Sequence, residues 1–311
     1  MFEATGPVLI EDEFLRDGLQ NEKRLFSLDE KLGFLADLEA AGVTRIQLGS
    51  FVHPKWVPQM ADTDELFTRI TRTPGVTYSA LVLNKAGLER ALAVKVPHLS
   101  ISVSASETHS RKNTNRSVDE GRAVIAPVIE RALSEGVEVR AGIQSAFGCG
   151  FEGAIDPEVV IDIARQWSAL GAQEINLADT AGLANPRQVY DLCQRVHDAV
   201  RPDCALSLHL HDTRGLGIAN MVAGLQAGVR VFDTALGGLG GCPFIPKAAG
   251  NIATEDVAFA LSEMGIKTGI DWRALKPAIA RAEALLGRRL PGRMGHITQP
   301  GEPDTELGEC A

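Results

Sequence analysis

The sequence predicts a (β/α)8 barrel, a closed parallel sheet surrounded by helices, with additional helices at its C-terminal end. Short apolar runs alternate eight times with longer amphipathic stretches, which is the order of elements in such barrels. Several helical stretches also end at a glycine just before the next apolar run, where glycine commonly ends a helix. A doubly wound sheet is the alternative, but it would require a glycine-rich turn after the first strand, and residues 11–17 contain no glycine.

The eight predicted strands share a β-branched or otherwise apolar character. They are Pro7–Ile10, Val43–Gln47, Val76–Val82, His98–Val103, Val137–Ile143, Glu174–Leu177, Ala205–Leu208 and Val229–Asp233. The helical patterns are Leu28–Ala40, Ser117–Ser134 and Pro157–Leu170, followed after the eighth strand by Thr254–Met264 and Asp271–Leu286. Residues 291–311 are rich in glycine, proline and acidic residues. We therefore expect one barrel domain over residues 1–290 and a loose C-terminal tail over residues 291–311.

The bulk composition argues against several classes of partner. The 311 residues carry a formal net charge of −9, which disfavours nucleic acid. No run approaches the roughly 18 apolar residues of a membrane-spanning helix, and the first residues lack the pattern of a secretory signal. Five cysteines, an odd number without regular spacing, are typical of a reducing compartment. We therefore expect a cytoplasmic protein that binds small molecules and neither membranes nor nucleic acids.

The motif His209-Leu-His211 indicates half of a metal site. It follows an apolar run that reads as a strand, and residues two apart on a strand point to the same side. Neutral imidazoles bind divalent cations. Asp17 and Asn251 follow other strands of the predicted barrel and can add oxygen ligands, because the strand ends meet at one mouth. Taken singly, Asp17 could be a turn residue and Asn251 a helix cap.

The segment Gly237–Cys242 holds four glycines in six residues. It matches neither of the common glycine-rich nucleotide motifs, so it could be a phosphate cradle or a mobile flap with glycine hinges. A cysteine near a metal ion and Arg16 would have a lowered pKa and could transfer protons. The alternative is a small buried thiol, which is also the interpretation that suits Cys193 and Cys204.

Four segments of the chain resemble the 3-hydroxy-3-methylglutaryl-CoA lyase family, within the larger group of metal-dependent barrel lyases and Claisen-type synthases. They are Leu15–Lys23, Ser50–Met60, His209–Thr213, and Gly238–Phe244 with Ala249–Asp256. The wider group shares the Arg-Asp-Gly and His-x-His pieces, whereas the Gly-Gly-Cys-Pro and Pro-Lys-Trp-Val-Pro pieces are more specific to the lyase. Order and spacing agree from about Pro7 to about Leu290.

The resemblance implies a carbon–carbon lyase that cleaves 3-hydroxy-3-methylglutaryl-CoA to acetyl-CoA and acetoacetate in a retro-Claisen reaction. The residues that match the family's ligands for magnesium or manganese are Asp17, His209, His211 and Asn251. The resemblance further implies that Arg16 stabilises the thioester enolate and that Cys242 protonates the enolate carbon. It also implies a homodimer, and it leaves open whether the pathway is leucine degradation or another.

Recognition of the CoA phosphates would need cations despite the acidic chain. The stretch Ser106–Asn113 resembles the corresponding part of the lyase. Residues that could bind the CoA part of the substrate are Lys23, Arg111, Lys112 and Asn113, with Lys55 and Arg116 as further cations. The alternative interpretation of this stretch is a solvated loop.

The sequence departs from the family at Gln47, where the lyases usually carry an acid. Glutamine exchanges no proton near neutral pH, but it donates and accepts hydrogen bonds. The catalytic candidates are therefore Arg16, Asp17, Gln47, His209 and Cys242. We expect either a slower lyase or an enzyme for a related 3-hydroxyacyl-CoA.

Two further hypotheses about function are compatible with the sequence. One is a Claisen-condensing acyltransferase of the same barrel group, although such synthases usually need more C-terminal chain and give Cys242 no clear role. The other is a non-catalytic sensor of CoA or a metabolite that lost its acid at position 47. The intact candidate site, including Arg16 and Asp17, argues against the sensor.

Overall fold

The structure, a computed structural model, describes residues 6–241 and 250–297. Eight parallel strands form a closed barrel, in which each strand pairs with its neighbours in the chain and the first closes against the last. They are β1 (Leu9–Asp12), β2 (Arg45–Ser50), β3 (Thr77–Val82), β4 (His98–Ser104), β5 (Glu138–Gln144), β6 (Glu174–Asp179), β7 (Ala205–Leu210) and β8 (Val231–Thr234). The predicted fold class is confirmed.

Helices connect the strands on the outside of the barrel, and two follow β8. Among the described residues they are α1 (Leu28–Ala40), α2 (Thr63–Arg69), α3 (Lys85–Ala93), α4 (Glu107–Thr114), α5 (Val118–Ser134), α6 (Pro157–Leu170), α7 (Pro186–Ala199), α8 (Gly217–Gln226), α9 (Thr254–Glu263) and α10 (Lys276–Leu286). Several start at strong caps: Ser27 Oγ accepts from the Glu30 N–H, and the Glu30 carboxylate accepts from the Ser27 N–H. In the described ranges, no helix has the length and apolar character needed to cross a membrane.

The apolar core lies between the strands and the helices, and the inside of the barrel is polar. Phe34, Ile129 and Trp167 on the helices are fully buried against the outside of the sheet. The inside instead holds charged side chains such as Glu11 and Arg140, both almost completely buried. Barrel interiors are more often filled by branched apolar residues. This polar lumen is the feature that positions the candidate site.

Some strands extend further toward the C-terminal end than predicted. β2, β6 and β7 end at Ser50, Asp179 and Leu210, two or three residues beyond the predicted ends. The ladder continues there because inward-facing polar residues still pair with their neighbours, as His209 does with Ala178 and Asp233. The end of an apolar run is therefore not the end of these strands.

Residues 291–297, predicted to begin the loose tail, form hydrogen bonds with the barrel. The Asp256 carboxylate at the start of α9 accepts from the Arg293 and Met294 N–H groups at 2.7 to 3.0 Å. The Gly292 N–H donates to the Gly237 carbonyl at 2.9 Å. Composition does not reveal these contacts because they are made by the backbone. Residues 298–311 of the predicted tail, which include Cys310, lie outside the described ranges.

Candidate metal centre and active site

Arg16 and Asp17 lie in a tight turn at the C-terminal end of β1. This turn, Phe14–Gly18, forms because the Glu13 carbonyl accepts hydrogen bonds from the Arg16 and Gly18 N–H groups, each at 3.1 Å. Both side chains are buried, with 9% of Arg16 and 5% of Asp17 exposed. They border the cavity at the mouth of the barrel. The turn therefore delivers a cation and an anion to the place where barrel enzymes carry out chemistry.

Three potential metal ligands meet at this mouth. Asp17 Oδ2 lies 3.7 Å from His211 Nε2 and 4.0 Å from His209 Nε2, and the two Nε2 atoms are 3.0 Å apart. The end of β7 directs both imidazoles to one side because the histidines are two residues apart. The ligand atoms of all three residues lie within 4.8 Å of one another. The structure thus brings together residues that the sequence predicted as ligands.

Asn251 joins this group from the segment after β8. Its Nδ2 donates to Asp17 Oδ2 at 2.8 Å and to the Leu239 carbonyl at 3.0 Å, while its buried Oδ1 has no hydrogen-bond partner. The backbone is tightly apposed here: at Gly240, whose φ is +133°, a Cβ would lie 2.5 Å from Asn251 Nδ2. An unpartnered amide oxygen beside a carboxylate and two imidazoles is a donor set that suits a divalent cation.

The charges around the group favour an ionised Asp17 and a protonated His209. Burial raises the pKa of Asp17, but Arg16 and the two histidines outweigh burial and hold this pKa well below its usual range. Burial lowers the pKa of His209, but hydrogen bonds to Asp233 and Glu13 raise it to about 10. Only a neutral imidazole binds a metal ion, so a cation must displace the His209 proton.

Two carboxylates contact Nδ1 of His209 and thereby orient its ring. Its Nδ1 lies 3.3 Å from Asp233 Oδ2 and 3.4 Å from Glu13 Oε2. Arg140 binds both carboxylates, donating to Asp233 Oδ1 at 2.6 Å and to Glu13 Oε1 at 2.8 Å. Because these acids are already paired, they fit a role in holding the imidazole rather than a second metal site. With Nδ1 held in this way, Nε2 faces Asp17.

Three acceptors hold the Arg16 guanidinium. Nη1 donates to Asp17 Oδ1 at 2.5 Å, Nε donates to Gln47 Oε1 at 2.5 Å, and Nη2 donates to Glu13 Oε2. Gln47 Nε2 donates in turn to Glu11 Oε1 at 3.3 Å. Gln47 is therefore an acceptor for Arg16 and a donor to Glu11, a double role that an ionised acid could not perform.

The site opens into a cavity of about 630 Å³. The charged residues described above form one wall of the cavity. The end of β3 and the segments that follow β2 and β3 form an apolar wall. The residues of this apolar wall are Val52, Trp56, Val57, Leu81 and Leu83. Trp56 is 77% exposed at the rim. The cavity can therefore hold a substrate with a polar end and an apolar substituent.

The structure brings one of the four predicted CoA-binding residues to the cavity. Asn113, on α4, borders it, and Arg111 and Lys112 are exposed on the same helix. Lys112 Nζ lies 4.8 Å from the ring centre of Phe151. Lys23 is exposed on the segment that follows the β1 turn. These cations are therefore at the surface, away from the buried charges.

Cys242, predicted as a catalytic residue, lies outside the described residues. Two other cysteines are buried as expected for small packed thiols, and burial raises the pKa of Cys193 to about 12 and also raises the pKa of Cys204. Cys149 is buried as well, and its Sγ accepts a hydrogen bond from Ser106 Oγ at 3.0 Å.

The charged residues of the lumen were not predicted from the sequence, and four of them are almost fully enclosed. They are Glu11, Glu13, Arg140 and Asp233, all at most 1% exposed. A usable signal existed for two of them, because Glu11 and Glu13 are two residues apart, as are His209 and His211. The alternation that placed the histidines on one side of a strand also places these acids together.

Comparison with known proteins identifies the family. The HMGL-like family model matches residues 8–280. The chain belongs to the HMGL-like family. The resemblance inferred from the sequence motifs is therefore confirmed over almost the whole barrel.

Two relatives and one solved structure cover nearly the full chain. The hydroxymethylglutaryl-CoA lyase of Pseudomonas mevalonii is 41% identical over 283 residues, which are 90% of this chain and 93% of that protein. The (R)-citramalyl-CoA lyase of Chloroflexus aurantiacus is also 41% identical, over 298 residues, covering 93% and 94%. An HMG-CoA lyase structure from Acinetobacter baumannii, in complex with coenzyme A and 3-methylmalate, has a TM-score of 0.89 at 36% identity and covers 100% of both chains. Both relatives are named as acyl-CoA lyases, and they differ in the acyl group.

Proposed function

We propose that this protein is a metal-dependent carbon–carbon lyase that cleaves 3-hydroxy-3-methylglutaryl-CoA to acetyl-CoA and acetoacetate. The observation that carries the proposal is the group formed by Asp17, His209 and His211, with the unpartnered Asn251 Oδ1 and the guanidinium of Arg16 beside it. The P. mevalonii relative supports this reaction by its name and its 41% identity.

The donor set indicates which residues hold the metal ion. Asp17, His209, His211 and Asn251 would bind magnesium or manganese, since these ions accept carboxylate and amide oxygens together with imidazole nitrogens. When bound, the ion would polarise oxygen atoms of the substrate and stabilise the negative charge that develops there. His209 can serve only in its neutral form, with its remaining proton on Nδ1 facing Asp233 and Glu13.

Arg16 is placed to stabilise the enolate of the departing acetyl thioester. Breaking the C2–C3 bond leaves an electron pair on C2 that delocalises onto the thioester oxygen. The guanidinium is buried, fixed by three acceptors and next to Asp17. A preorganised cation at this position stabilises the charge as it forms.

Two protons must move in the reaction, and the site offers a group for each. The proton of the 3-hydroxyl would leave to the Asp233 carboxylate, which borders the cavity, because a metal-bound His209 with its proton on Nδ1 has no free lone pair. The enolate carbon receives its proton from Cys242, a role inferred from the family motif. Gln47 takes no part in proton transfer and instead orients Arg16 through its Oε1.

The CoA part of the substrate would extend from the cavity along α4. Asn113 borders the cavity, and Arg111 and Lys112 offer exposed cations for the phosphates on the same helix. Lys23, which is exposed on the segment after the β1 turn, is a further candidate. The A. baumannii complex, which contains coenzyme A, supports an acyl-CoA ligand.

A second candidate function differs in the acyl group of the substrate. Lyases for related 3-hydroxyacyl-CoA thioesters, including citramalyl-CoA, are the second candidate, favoured by the C. aurantiacus relative. The Claisen-condensing acyltransferase remains a third candidate within the same chemistry. A homodimer and a cytoplasmic location stay predictions from the sequence.

The deciding experiment measures acetyl-CoA released by the purified protein from 3-hydroxy-3-methylglutaryl-CoA. We expect release with magnesium or manganese, loss of activity in EDTA, and recovery when the metal is restored. Cys242→Ser should lower kcat strongly without preventing metal binding. Citramalyl-CoA, assayed in parallel, tests the second candidate. No cleavage of either thioester by metal-loaded protein would overturn the proposed lyase.

A further inference from the structure

We propose that Glu13 is a positioning residue for Arg16 and His209, and that it supplies the negative charge that neutral Gln47 cannot. The inference rests on the proposed function and assigns a role to a residue that the sequence motifs do not single out. Glu13 lies just after β1, is 0% exposed and borders the cavity. It is a buried acid at the centre of the candidate site.

The carboxylate of Glu13 links three functional groups. Its Oε2 accepts from Arg16 Nη2 and lies 3.4 Å from His209 Nδ1. Its Oε1 accepts from Arg140 Nη2 at 2.8 Å, which fixes the carboxylate in turn. The residue therefore contacts both the cation assigned to the enolate and one of the assigned metal ligands.

Gln47 occupies another side of Arg16 and contributes no charge. Its Nε2 faces Glu11 Oε1 at 3.3 Å. An acid at position 47 would place a third carboxylate beside Glu11 and Glu13 in a buried site, where like charges repel strongly. An amide is therefore the group that fits beside two acids, and the charge that holds Arg16 comes from Glu13 and Asp17.

The pattern of contacts also leaves Arg16 ready for a substrate oxygen. A guanidinium has five N–H donors. Glu13, Asp17 and Gln47 each take one, from three different nitrogens. Nη1 and Nη2 each keep one N–H. If Glu13 lost its charge, the guanidinium would no longer be fixed on the Nη2 side, and these two donors would lose their direction.

The test is a set of exchanges between positions 13 and 47, assayed for kcat and KM with saturating manganese. We expect Glu13→Gln to lower kcat about 10- to 100-fold, as for other partners behind catalytic groups, and to change KM less than about threefold because substrate binding is retained. Gln47→Glu alone should also lower kcat, because it adds a third acid. The double variant should exceed Glu13→Gln in kcat by about tenfold or more, since the charge on Arg16 returns from the other side.

Glu174→Gln is the matched control. Glu174 is a buried acid of the same lumen that binds Arg45 at 2.8 and 3.1 Å and does not contact Arg16. Thermal unfolding should show a loss of stability comparable to that of Glu13→Gln, while kcat stays within about threefold of the wild type. A merely structural role for Glu13 would move both variants alike.

Each outcome bears on the proposal. Wild-type kcat in Glu13→Gln, or a folded double variant no faster than Glu13→Gln, would overturn it. If Glu13→Gln does not fold, the comparison of the double variant with Gln47→Glu decides, and a faster double variant supports the proposal. If the wild type cleaves neither thioester, the proposed function fails, and crystal structures then decide the inference: a displaced Arg16 in Glu13→Gln supports it, and an unchanged Arg16 refutes it.

Discussion

The two faces of β1 carry buried acids that behave in opposite ways. Glu11 and Glu13 face the lumen of the barrel, and Asp12 between them faces the opposite side, toward α9. All three are 0% exposed. Burial raises the pKa of Glu11, but Arg140 and Arg45 outweigh it and lower this pKa to about 2. Burial raises the pKa of Asp12 to about 7, because its hydrogen bonds only partly compensate.

Glu11 and Asp12 differ because two arginines lie beside Glu11, whereas Asp12 has only hydrogen bonds to offset its burial. Asp12 accepts from Thr254 Oγ1 at 2.6 Å and from the Phe14 N–H at 2.8 Å, yet no arginine contacts it among the described residues. Glu255, also on the outer side, shows the same behaviour, since burial and then Asp256 raise its pKa to about 8. At Asp12 the hydrogen bonds offset part of the desolvation penalty, whereas the two arginines beside Glu11 outweigh it.

The comparison matters for function because only the lumen face is arranged for ionic chemistry. Glu13 has a lowered pKa there and contacts both Arg16 and His209. The outer face supports the glycine segment that leads toward Cys242, through the contact of Glu255 Oε2 with the Gly237 N–H at 3.0 Å. Charge is therefore concentrated on the side where the substrate binds.

The largest effect on stability is expected when the Arg140 guanidinium is removed from the lumen. Arg140→Met should destabilise the fold by about 3–5 kcal/mol, because it leaves Glu11, Glu13 and Asp233 partly unpaired in a buried site. Urea unfolding measured at pH 7 gives this free energy. The lumen acids should then resemble Asp12, so the variant should regain stability at lower pH.

The control for this substitution is Arg131→Met on the surface of α5. Arg131 pairs with Glu135, and both side chains are more than 40% exposed. Exposed pairs contribute little, so the change should stay within about 0.5 kcal/mol. A loss below about 1 kcal/mol in Arg140→Met would show that the lumen network is not needed to hold its acids.

A second effect should appear in the pH dependence set by the outer face. The pKa of Glu255 is about 8 in the fold against an ordinary value of 4.5, so the folded state keeps a proton that the unfolded state releases between these values. Stability must therefore fall as the pH rises through this window, by at most about 1.4 kcal/mol per pH unit for this group.

Glu255→Gln should remove this contribution. Urea unfolding at several pH values between about 5.5 and about 8 should give a flatter profile for the variant than for the wild type. The control is Glu263→Gln. Glu263 is the exposed last residue of α9, so its substitution should leave the profile unchanged. Parallel profiles for the wild type and Glu255→Gln would contradict the raised pKa.

Much of the fold and the metal group could be predicted from the sequence, because both depend on short-range patterns. The alternation of apolar runs and helices gave eight strands in the right order, and residues two apart gave the side shared by His209 and His211. The lumen charges could not be placed in the same way. Arg140 binds Glu11 across 129 residues of sequence, and only the closed barrel brings these side chains together.

Gln47 shows the same limit for a single residue. In the sequence it stands out as a missing acid. In the structure, the Gln47 amide donates to Glu11 and accepts from Arg16, which explains why an amide fits there. The identity of its neighbours, not its own residue type, determines what position 47 can do, and those neighbours lie on another strand.

The smallest effect on stability is expected for a substitution of Asp12 itself. Asp12→Asn should change stability at pH 7 by no more than about 1 kcal/mol, because an amide can replace both hydrogen bonds of an acid that is already close to half protonated. The amide oxygen accepts from the Phe14 N–H, and the amide nitrogen donates to Thr254 Oγ1. The Thr254 hydroxyl can turn to make room for this, since Thr234 Oγ1 lies 2.6 Å away as an alternative acceptor.

Asp12→Leu gives the contrast that makes this prediction informative. It keeps a similar volume but leaves the Phe14 N–H without its acceptor, so it should destabilise the fold by about 1–3 kcal/mol more than Asp12→Asn in the same urea measurement. If Asp12→Asn were as damaging as Asp12→Leu, the charge of Asp12 would be essential. The outer face of β1 would then depend on ionisation as much as the lumen does, although no described arginine contacts Asp12 to balance the charge.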